Sequence, residues 1–129
     1  NPSSIAQKAA LAAVQGPQDF PVKMKEAFLP RRDYILKELA SIDNVTCVVP
    51  KGAFYVFPNL SAYYGKKFNG KVIEGSVMMA DYLLEEALLA TVPGAAFGAE
   101  AFVRFSFATS MEIIEEGMKR LKKALADLV

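Results

Sequence analysis

A run of six residues, Phe102 to Phe107, places a single cation inside an otherwise apolar segment. Successive side chains of a β-strand point to opposite faces of a sheet, so the run predicts a strand with Val103, Phe105 and Phe107 on one face. Arg104 then lies on the other face. A guanidinium is rarely buried without a partner, and its planar fork matches a carboxylate or a phosphate. The segment therefore indicates a half-buried strand that presents a site for an acid group.

A turn-rich loop, Val92-Pro93-Gly94-Ala95-Ala96-Phe97-Gly98, precedes this strand and is suited to closing over a small ligand. Gly94 and Gly98 form neither a GxGxxG pattern nor a P-loop, so the loop predicts no phosphate cradle. Two interpretations of Arg104 stay open at this point. It binds the acid group of a ligand, or it forms a structural ion pair with an Asp or a Glu.

Composition excludes several classes of protein. The chain has 129 residues, of which 53% are hydrophobic and 22% charged, as expected of one globular domain spanning residues 1–129. The net charge of +1, from 15 basic and 14 acidic residues, provides no electrostatic basis for binding nucleic acid or an anionic membrane. No apolar run approaches the roughly 20 residues that a membrane-spanning helix needs. We expect neither nucleic acid nor a membrane among the partners.

The chain has one cysteine and no histidine. Cys47 cannot form an internal disulfide, which favours a reducing, cytoplasmic setting, and its strand-like surroundings predict a small core residue. Without histidine, the Ser-His-Asp and Cys-His catalytic arrangements and every histidine-containing zinc motif are excluded. We expect no metal site.

Capping signals predict two helices in the first third of the chain. Ser4-Ile5-Ala6-Gln7 fits a capping box and predicts a helix to Val14, which Gly16-Pro17 would end. A second helix is predicted from about Pro21 to Ile42. Pro30 falls inside it and should kink or divide it.

Two apolar runs, Val45–Val49 and Ala53–Phe57, flank the tight connection Pro50-Lys51-Gly52 and predict a hairpin. The segment Asn59–Gly75 is less regular and predicts a short helix with an exposed loop. It is followed by a third predicted helix.

Ser76 and Ser110 are predicted to cap the last two helices, the third running from Val77 to about Leu89. The order of elements, with helices around a small sheet, predicts an α+β two-layer domain whose sheet is mixed or antiparallel. The residues predicted to face the core are Ala80, Leu83, Leu84, Ala87 and Leu88 in the third helix, and Ile114, Met118, Leu121, Leu125 and Leu128 in the fourth.

Four segments, taken in order, carry a resemblance to one family: Asn1–Gln7, Lys51–Pro58, Val92–Gly98 and Val103–Ser110. Together they resemble the C-terminal part of class I/II aminotransferases of fold type I, of the aspartate aminotransferase kind. The resemblance covers nearly the whole chain. It therefore implies a C-terminal small domain with a core of its own.

The resemblance also implies roles for particular residues. Arg104 matches the arginine that binds the substrate α-carboxylate through a bidentate pair, and the loop around Phe97 lines the mouth of the active site. The segment Asn1–Ser4 lies near the cofactor and the partner subunit of a homodimer, and the helix Asn1–Val14 lies at the boundary with a large domain. The parent enzyme would use pyridoxal phosphate to move an amino group between an amino acid, here aspartate, and a 2-oxo acid.

The chain departs from the family in one respect. The family's Schiff-base lysine, the aspartate that pairs with the pyridine nitrogen and the phosphate-binding groups all precede the point where this chain begins. We therefore expect no catalytic residue in this chain and no cofactor bound to it alone. Two alternatives remain: a lyase or acyltransferase of the same fold type, and a non-enzymatic carboxylate-binding module.

Overall fold

Five short strands and four helices make up the computed structural model, which describes all residues 1–129. The helices are α1 (Ser4–Gln15), α2 (Asp19–Ala40), α3 (Ser76–Ala87) and α4 (Met111–Ala126). The strands are β1 (Tyr55–Val56), β2 (Lys67–Phe68), β3 (Lys71–Val72), β4 (Val92–Pro93) and β5 (Val103–Ser106). The predicted α+β class is confirmed.

The strand β5 lies at the centre of a three-stranded antiparallel sheet of order β1-β5-β4. In its register Tyr55 faces Ser106, and Val92 faces Arg104. The pairing with the β1 segment extends beyond the regular ladder, since the Val103 N–H donates to the carbonyl of Pro58. As predicted from the alternation, Val103 is buried on the core face of this strand.

One apolar core fills the space between that sheet face and the helices. Helix α4 packs against α2 and α3, and α3 packs against β4 and β5. Ser110 caps α4 as predicted, because its hydroxyl accepts a hydrogen bond from the Ile113 N–H. The predicted stripe of α4 is confirmed, since all of its members are buried: Ile114, Met118, Leu121, Leu125 and Leu128.

The predicted stripe of α3 is partly wrong. Leu84 and Leu88 are 52% and 71% exposed, whereas Met79 is fully buried. The helix ends at Ala87, and Leu88 turns out of it in the left-handed conformation. The sheet and α4 both lie on the side of Met79, so that a leucine on the other side stays in solvent.

The N-terminal cap of α1 is Ser3 and not the predicted Ser4. Ser3 has the extended backbone that a cap requires, and its hydroxyl accepts from the Ala6 N–H at 3.2 Å. Ser4 already belongs to the helix. The Gln7 side chain does reach back, but its amide donates to the carbonyl of Pro2.

Helix α2 begins at Asp19, two residues before the predicted Pro21, and continues through Pro30 without dividing. A proline inside a helix removes one backbone hydrogen bond. Ile35 and Leu39 anchor the following turns in the core, and this burial favours a continuous helix.

The predicted hairpin between Val45–Val49 and Ala53–Phe57 is wrong. A single antiparallel bridge joins Thr46 to Asn59, and Val48 is 84% exposed. The second segment supplies β1, which pairs with β5 instead. The first segment is therefore left at the margin of the sheet.

The segment Asn59–Gly75 contains the expected short helix, a 3-10 turn at Ser61–Tyr63. The remainder is not only loop, because β2 and β3 form an antiparallel hairpin. Asn69 and Gly70 make its two-residue turn, both with positive φ. Such a turn matches the twist of the strands that it joins.

Helix α1 contributes no buried side chain. Its apolar residues Ile5, Leu11 and Val14 are all exposed. None of the four helices, α1 included, combines the length and the apolar composition that crossing a membrane requires. This helix thus carries apolar surface that the rest of the chain leaves uncovered.

Candidate functional site

Arg104 lies on the face of the sheet opposite the core, as the alternation predicts. Its neighbours Val103 and Phe105 are buried, whereas Arg104 is only partly so. Because Tyr55 pairs with Ser106, it shares the open face with Arg104 and lies diagonally across from it. The guanidinium carbon of Arg104 is 4.3 Å from the centre of the Tyr55 ring.

A second ring, that of Phe97, lies 4.7 Å from the same guanidinium carbon. Arg104 is therefore held by two aromatic rings. No salt bridge or side-chain hydrogen bond joins it to any residue: the three salt bridges of the structure are Arg32–Asp33, Arg120–Glu116 and Lys122–Glu38.

Contacts with ring faces constrain a guanidinium without consuming its N–H donors. A planar carboxylate can approach the edge of the fork and accept two parallel hydrogen bonds. The structure therefore provides no partner for the ion-pair interpretation of Arg104. The arrangement suits the recognition of an acid group from outside this chain.

The loop between β4 and β5 is closed on itself. It begins with the 3-10 turn Gly94–Phe97 and reverses at Gly98, whose φ is 68°. The Gly94 N–H donates to the carbonyl of Phe102, and the Ala99 N–H donates to that of Gly94. Any β-carbon at Gly94 would collide with the carbonyl oxygens of Ala99 and Phe102, so only glycine fits.

Four aromatic residues form a wall beside Arg104. The ring of Phe97 meets that of Phe57 edge-on, with centres 5.9 Å apart, and Phe57 packs in turn on Phe102 at 5.1 Å. Tyr55 and Phe57 are two residues apart, which directs both to the open face. We call Tyr55, Phe57, Phe97 and Phe102 the aromatic wall. Of these, only Phe97 is predicted from the sequence as a site residue.

The signal for the other members is present in the sequence. The alternation within Ala53–Phe57 places Tyr55 and Phe57 on one face, whichever strand is their partner. The predicted hairpin with Val45–Val49 pairs this segment with the wrong neighbour. Only the pairing of β1 with β5 brings Tyr55 to Arg104.

A polar network joins the loop to α3. The Glu100 carboxylate accepts hydrogen bonds through Oε1 from the Ser76 N–H, at 2.6 Å, and from the Ser76 hydroxyl, at 3.1 Å. The Ser76 oxygen in turn accepts from the Ala95 N–H at 3.0 Å. The predicted capping role of Ser76 is therefore wrong: the cap position is Gly75, which has no side chain, and Glu100 satisfies the helix terminus.

Tyr64 contacts the same loop from the other side. Its hydroxyl donates to the backbone carbonyl of Glu100 at 2.8 Å. Burial, and secondarily the Glu100 charge, raise the pKa of Tyr64 to about 12. The tyrosine is therefore a neutral hydrogen-bond donor at physiological pH.

The remaining reactive groups lie elsewhere. Cys47 packs against the core, half-buried, and burial raises the pKa of its thiol, which keeps it protonated at neutral pH. The ammonium of Lys66 donates to the Leu128 carbonyl, and that of Lys122 binds Glu38. No group of three or more Cys, Asp or Glu side chains is placed to hold a metal ion.

Residues 1–121 match the family described as aminotransferase class I and II. A probable aspartate/prephenate aminotransferase of Aquifex aeolicus is 44% identical over 130 residues, covering 99% of this chain and 32% of that protein. The chain thus spans about a third of the length of this curated relative.

Solved structures show the same fold. The aspartate aminotransferase of Rhizobium meliloti superposes with a TM-score of 0.89 at 43% identity, covering 99% of this chain and 32% of that one. The alanine aminotransferase of Pyrococcus furiosus superposes with a TM-score of 0.84 at 30% identity, covering 98% and 30%.

Proposed function

This chain belongs to the class I and II aminotransferases, and on that premise we propose that it is the C-terminal small domain of a pyridoxal-phosphate-dependent aminotransferase. The whole polypeptide transfers an amino group between an amino acid, with aspartate preferred, and a 2-oxo acid. Arg104 binds the α-carboxylate of the substrate, and Phe97 lines the mouth of the site. The observation that carries the proposal is that Arg104 contacts two aromatic rings and has no acidic partner.

The chemistry of binding follows from that arrangement. A carboxylate that meets the edge of the Arg104 fork forms two parallel charge-assisted hydrogen bonds, a contact that contributes about 1.5–3 kcal/mol and also fixes the orientation of the carboxylate. The rings of Tyr55 and Phe97 contact the guanidinium without occupying its N–H donors. A bound α-carboxylate fixes the rest of the substrate in one orientation.

The preference for aspartate rests on a narrower basis than the reaction type. All amino acids have an α-carboxylate, so Arg104 alone does not distinguish aspartate from alanine. The fold does not distinguish them either, since an alanine aminotransferase superposes almost as closely as an aspartate aminotransferase. Sequence identity favours aspartate, at 43% against 30% in the two structures.

Pyridoxal phosphate supplies the electron sink for amino-group transfer when it is bound. It requires a lysine amine for its aldehyde and several donors for its phosphate. The residues around Arg104 do not fit the cofactor, because the aromatic wall contains neither a lysine nor a set of phosphate-binding donors. Lys66 and Lys122 are bonded elsewhere, to the Leu128 carbonyl and to Glu38. We therefore assign the catalytic lysine and the phosphate site to the remainder of the polypeptide, and no catalytic residue to this chain.

The assembly is proposed on similar grounds. The exposed apolar residues of α1 favour burial against a large domain or the partner subunit of a homodimer, with Asn1–Val14 at the boundary. The lone Cys47 favours the cytoplasm.

Substitution of Arg104 in the full-length enzyme tests the function. Lysine cannot reproduce the bidentate fork, so Arg104→Lys should lower kcat/KM by one to several orders of magnitude, about 2 kcal/mol or more. The absorbance of the loaded cofactor and the melting temperature should stay near those of the parent. Arg120→Lys on α4 is the matched control, because it alters an arginine in an exposed i,i+4 pair.

Two results would contradict the proposal. If Arg104→Lys unfolded the protein while the folded fraction kept its kcat/KM, Arg104 would be structural. If the parent enzyme released another product from aspartate and produced no new amino acid from a 2-oxo acid, a lyase or acyltransferase of the same fold would be the better assignment.

A further inference from the structure

Ser76 is a polar residue with no exposed surface, at the first turn of α3. Its backbone N–H, its hydroxyl hydrogen and its hydroxyl oxygen are all in use, through Glu100 and the Ala95 N–H. A buried polar group that loses its partner keeps the cost of its desolvation, so the loss of one of these bonds also weakens the arrangement that forms the others. Ser76 and Glu100 therefore act as one clamp, which we call the Ser76–Glu100 clamp.

The clamp holds the loop on both sides of Phe97. Ala95 lies two residues before Phe97 and Glu100 three residues after it, and both are bonded to Ser76. Between them the loop is closed by the Gly98 N–H, which donates to the Ala95 carbonyl. Both flanks of Phe97 are thus fixed to a single residue of a helix.

That helix is packed on the sheet that carries Arg104. Helix α3 contacts both β4 and β5, so the clamp fixes the position of the loop relative to the strand that carries Arg104. The Phe97 ring is half-exposed and lies 4.7 Å from the guanidinium carbon. The Phe97 ring packs on one other aromatic side chain, that of Phe57.

We propose that Ser76 and Glu100 are positioning residues for substrate binding: they hold the Phe97 ring against Arg104, and so preserve the orientation of the guanidinium that receives the carboxylate. The inference rests on the proposed function of Arg104. The clamp touches neither the substrate nor the guanidinium, and acts through Phe97. Small displacements of a binding group have large effects on affinity, because the hydrogen-bond geometry is lost.

The experiment uses the full-length enzyme loaded with its cofactor and titrated calorimetrically with maleate, a four-carbon dicarboxylate without an amino group. Ser76→Ala and Glu100→Ala should each weaken maleate binding about tenfold and raise KM for aspartate more than they lower kcat. Glu100→Gln keeps an oxygen acceptor of the same shape and should restore most of the affinity.

A third variant moves the carboxylate without removing either residue. Gly75 has an extended backbone that alanine also adopts, but a β-carbon there would collide with Oε1 of Glu100. Gly75→Ala should therefore weaken maleate binding as Glu100→Ala does. Ser110→Ala is the matched control, since it removes a serine cap from α4 without touching the loop, and its affinity should equal that of the parent.

A double-mutant cycle separates positioning from stability. In a Phe97→Ala background, Glu100→Ala should cause no further loss of maleate affinity, because the clamp acts through the missing ring. Full additivity of the two losses would overturn the inference. So would unchanged affinity in Ser76→Ala, Glu100→Ala and Gly75→Ala while Arg104→Lys loses binding, a result that leaves the proposed function intact. If Arg104→Lys also bound maleate normally, the proposed function itself would be wrong.

Discussion

The Arg104 guanidinium carbon lies 4.3 Å from the centre of the Tyr55 ring, across the pairing of β5 with β1. The two side chains share the open face of the sheet because Tyr55 faces Ser106, which is two residues from Arg104. A cation over a ring face is stabilised by the ring's quadrupole, and its donors stay free. Tyr55 thus restrains the guanidinium without competing with a carboxylate.

Removal of the Tyr55 ring should therefore weaken substrate binding. A cation–π contact at a partly exposed site contributes about 0.5–1 kcal/mol, so Tyr55→Leu in the full-length enzyme should raise KM for aspartate about two- to fivefold. Tyr55→Phe keeps the ring and should behave like the parent. Steady-state kinetics measure both, and an equal loss in the two variants would assign the role to the hydroxyl instead.

The strand of Arg104 and the helix α4 could be predicted from sequence because each depends on a local period. Alternation placed Val103 in the core, and the spacing of apolar residues in α4 placed Leu121 there, with Ser110 as the cap. Both patterns agree with the tertiary structure, and neither needs information about distant segments.

Most of the features that could not be predicted from the sequence depend on interactions between distant segments. The pairing of β1 with β5 joins Tyr55 to Ser106, and the cap of α3 comes from Glu100, on the loop after β4. No local pattern at Ser76 distinguishes an N-cap from a first helical residue that a remote carboxylate satisfies. The turn Asn69-Gly70 is different: the dipeptide is a local signal typical of a two-residue hairpin, and the prediction of a loop for this segment missed it.

The single apolar core predicts that the 129-residue chain unfolds cooperatively. Leu121 is fully buried on α4, so Leu121→Ala should lower the free energy of unfolding by about 2–5 kcal/mol. Leu84→Ala is the matched control on α3, where the side chain is 52% exposed, and should change it by less than about 0.5 kcal/mol. Urea unfolding followed by circular dichroism gives both values. A gradual parent transition with dye binding would show that this core depends on another domain.

The raised pKa of Tyr64 predicts that the folded chain loses stability at alkaline pH. Its pKa is raised to about 12 in the folded chain, chiefly by burial, whereas an unfolded tyrosine loses its proton near pH 10. The contribution is complete below about pH 10 and is lost as the pH rises towards 12, since only the unfolded state gains from early ionisation. The stability advantage of the parent over Tyr64→Phe should therefore shrink across this window.

Urea unfolding of both proteins at several values between pH 8 and pH 12 measures that difference. Tyr63 and Tyr82 also have raised pKa values, but they are common to both proteins and cancel. A parent-minus-variant difference that stayed constant to pH 12 would mean that the Tyr64 hydroxyl is solvated in the folded chain.

The exposed apolar side chains of α1 predict that the isolated chain associates with itself. Ile5, Leu11 and Val14 are 82%, 48% and 78% exposed, and the alanines between them permit close approach of a second surface. Sedimentation velocity should show concentration-dependent dimers, through packing or exchange of α1 between copies. The double substitution Leu11→Glu with Val14→Glu should leave a monomer, because burying two carboxylates at such an interface is costly. Leu84→Glu, on an exposed position of α3, should associate like the parent; a parent chain that stayed monomeric at every concentration would remove α1 as an association surface.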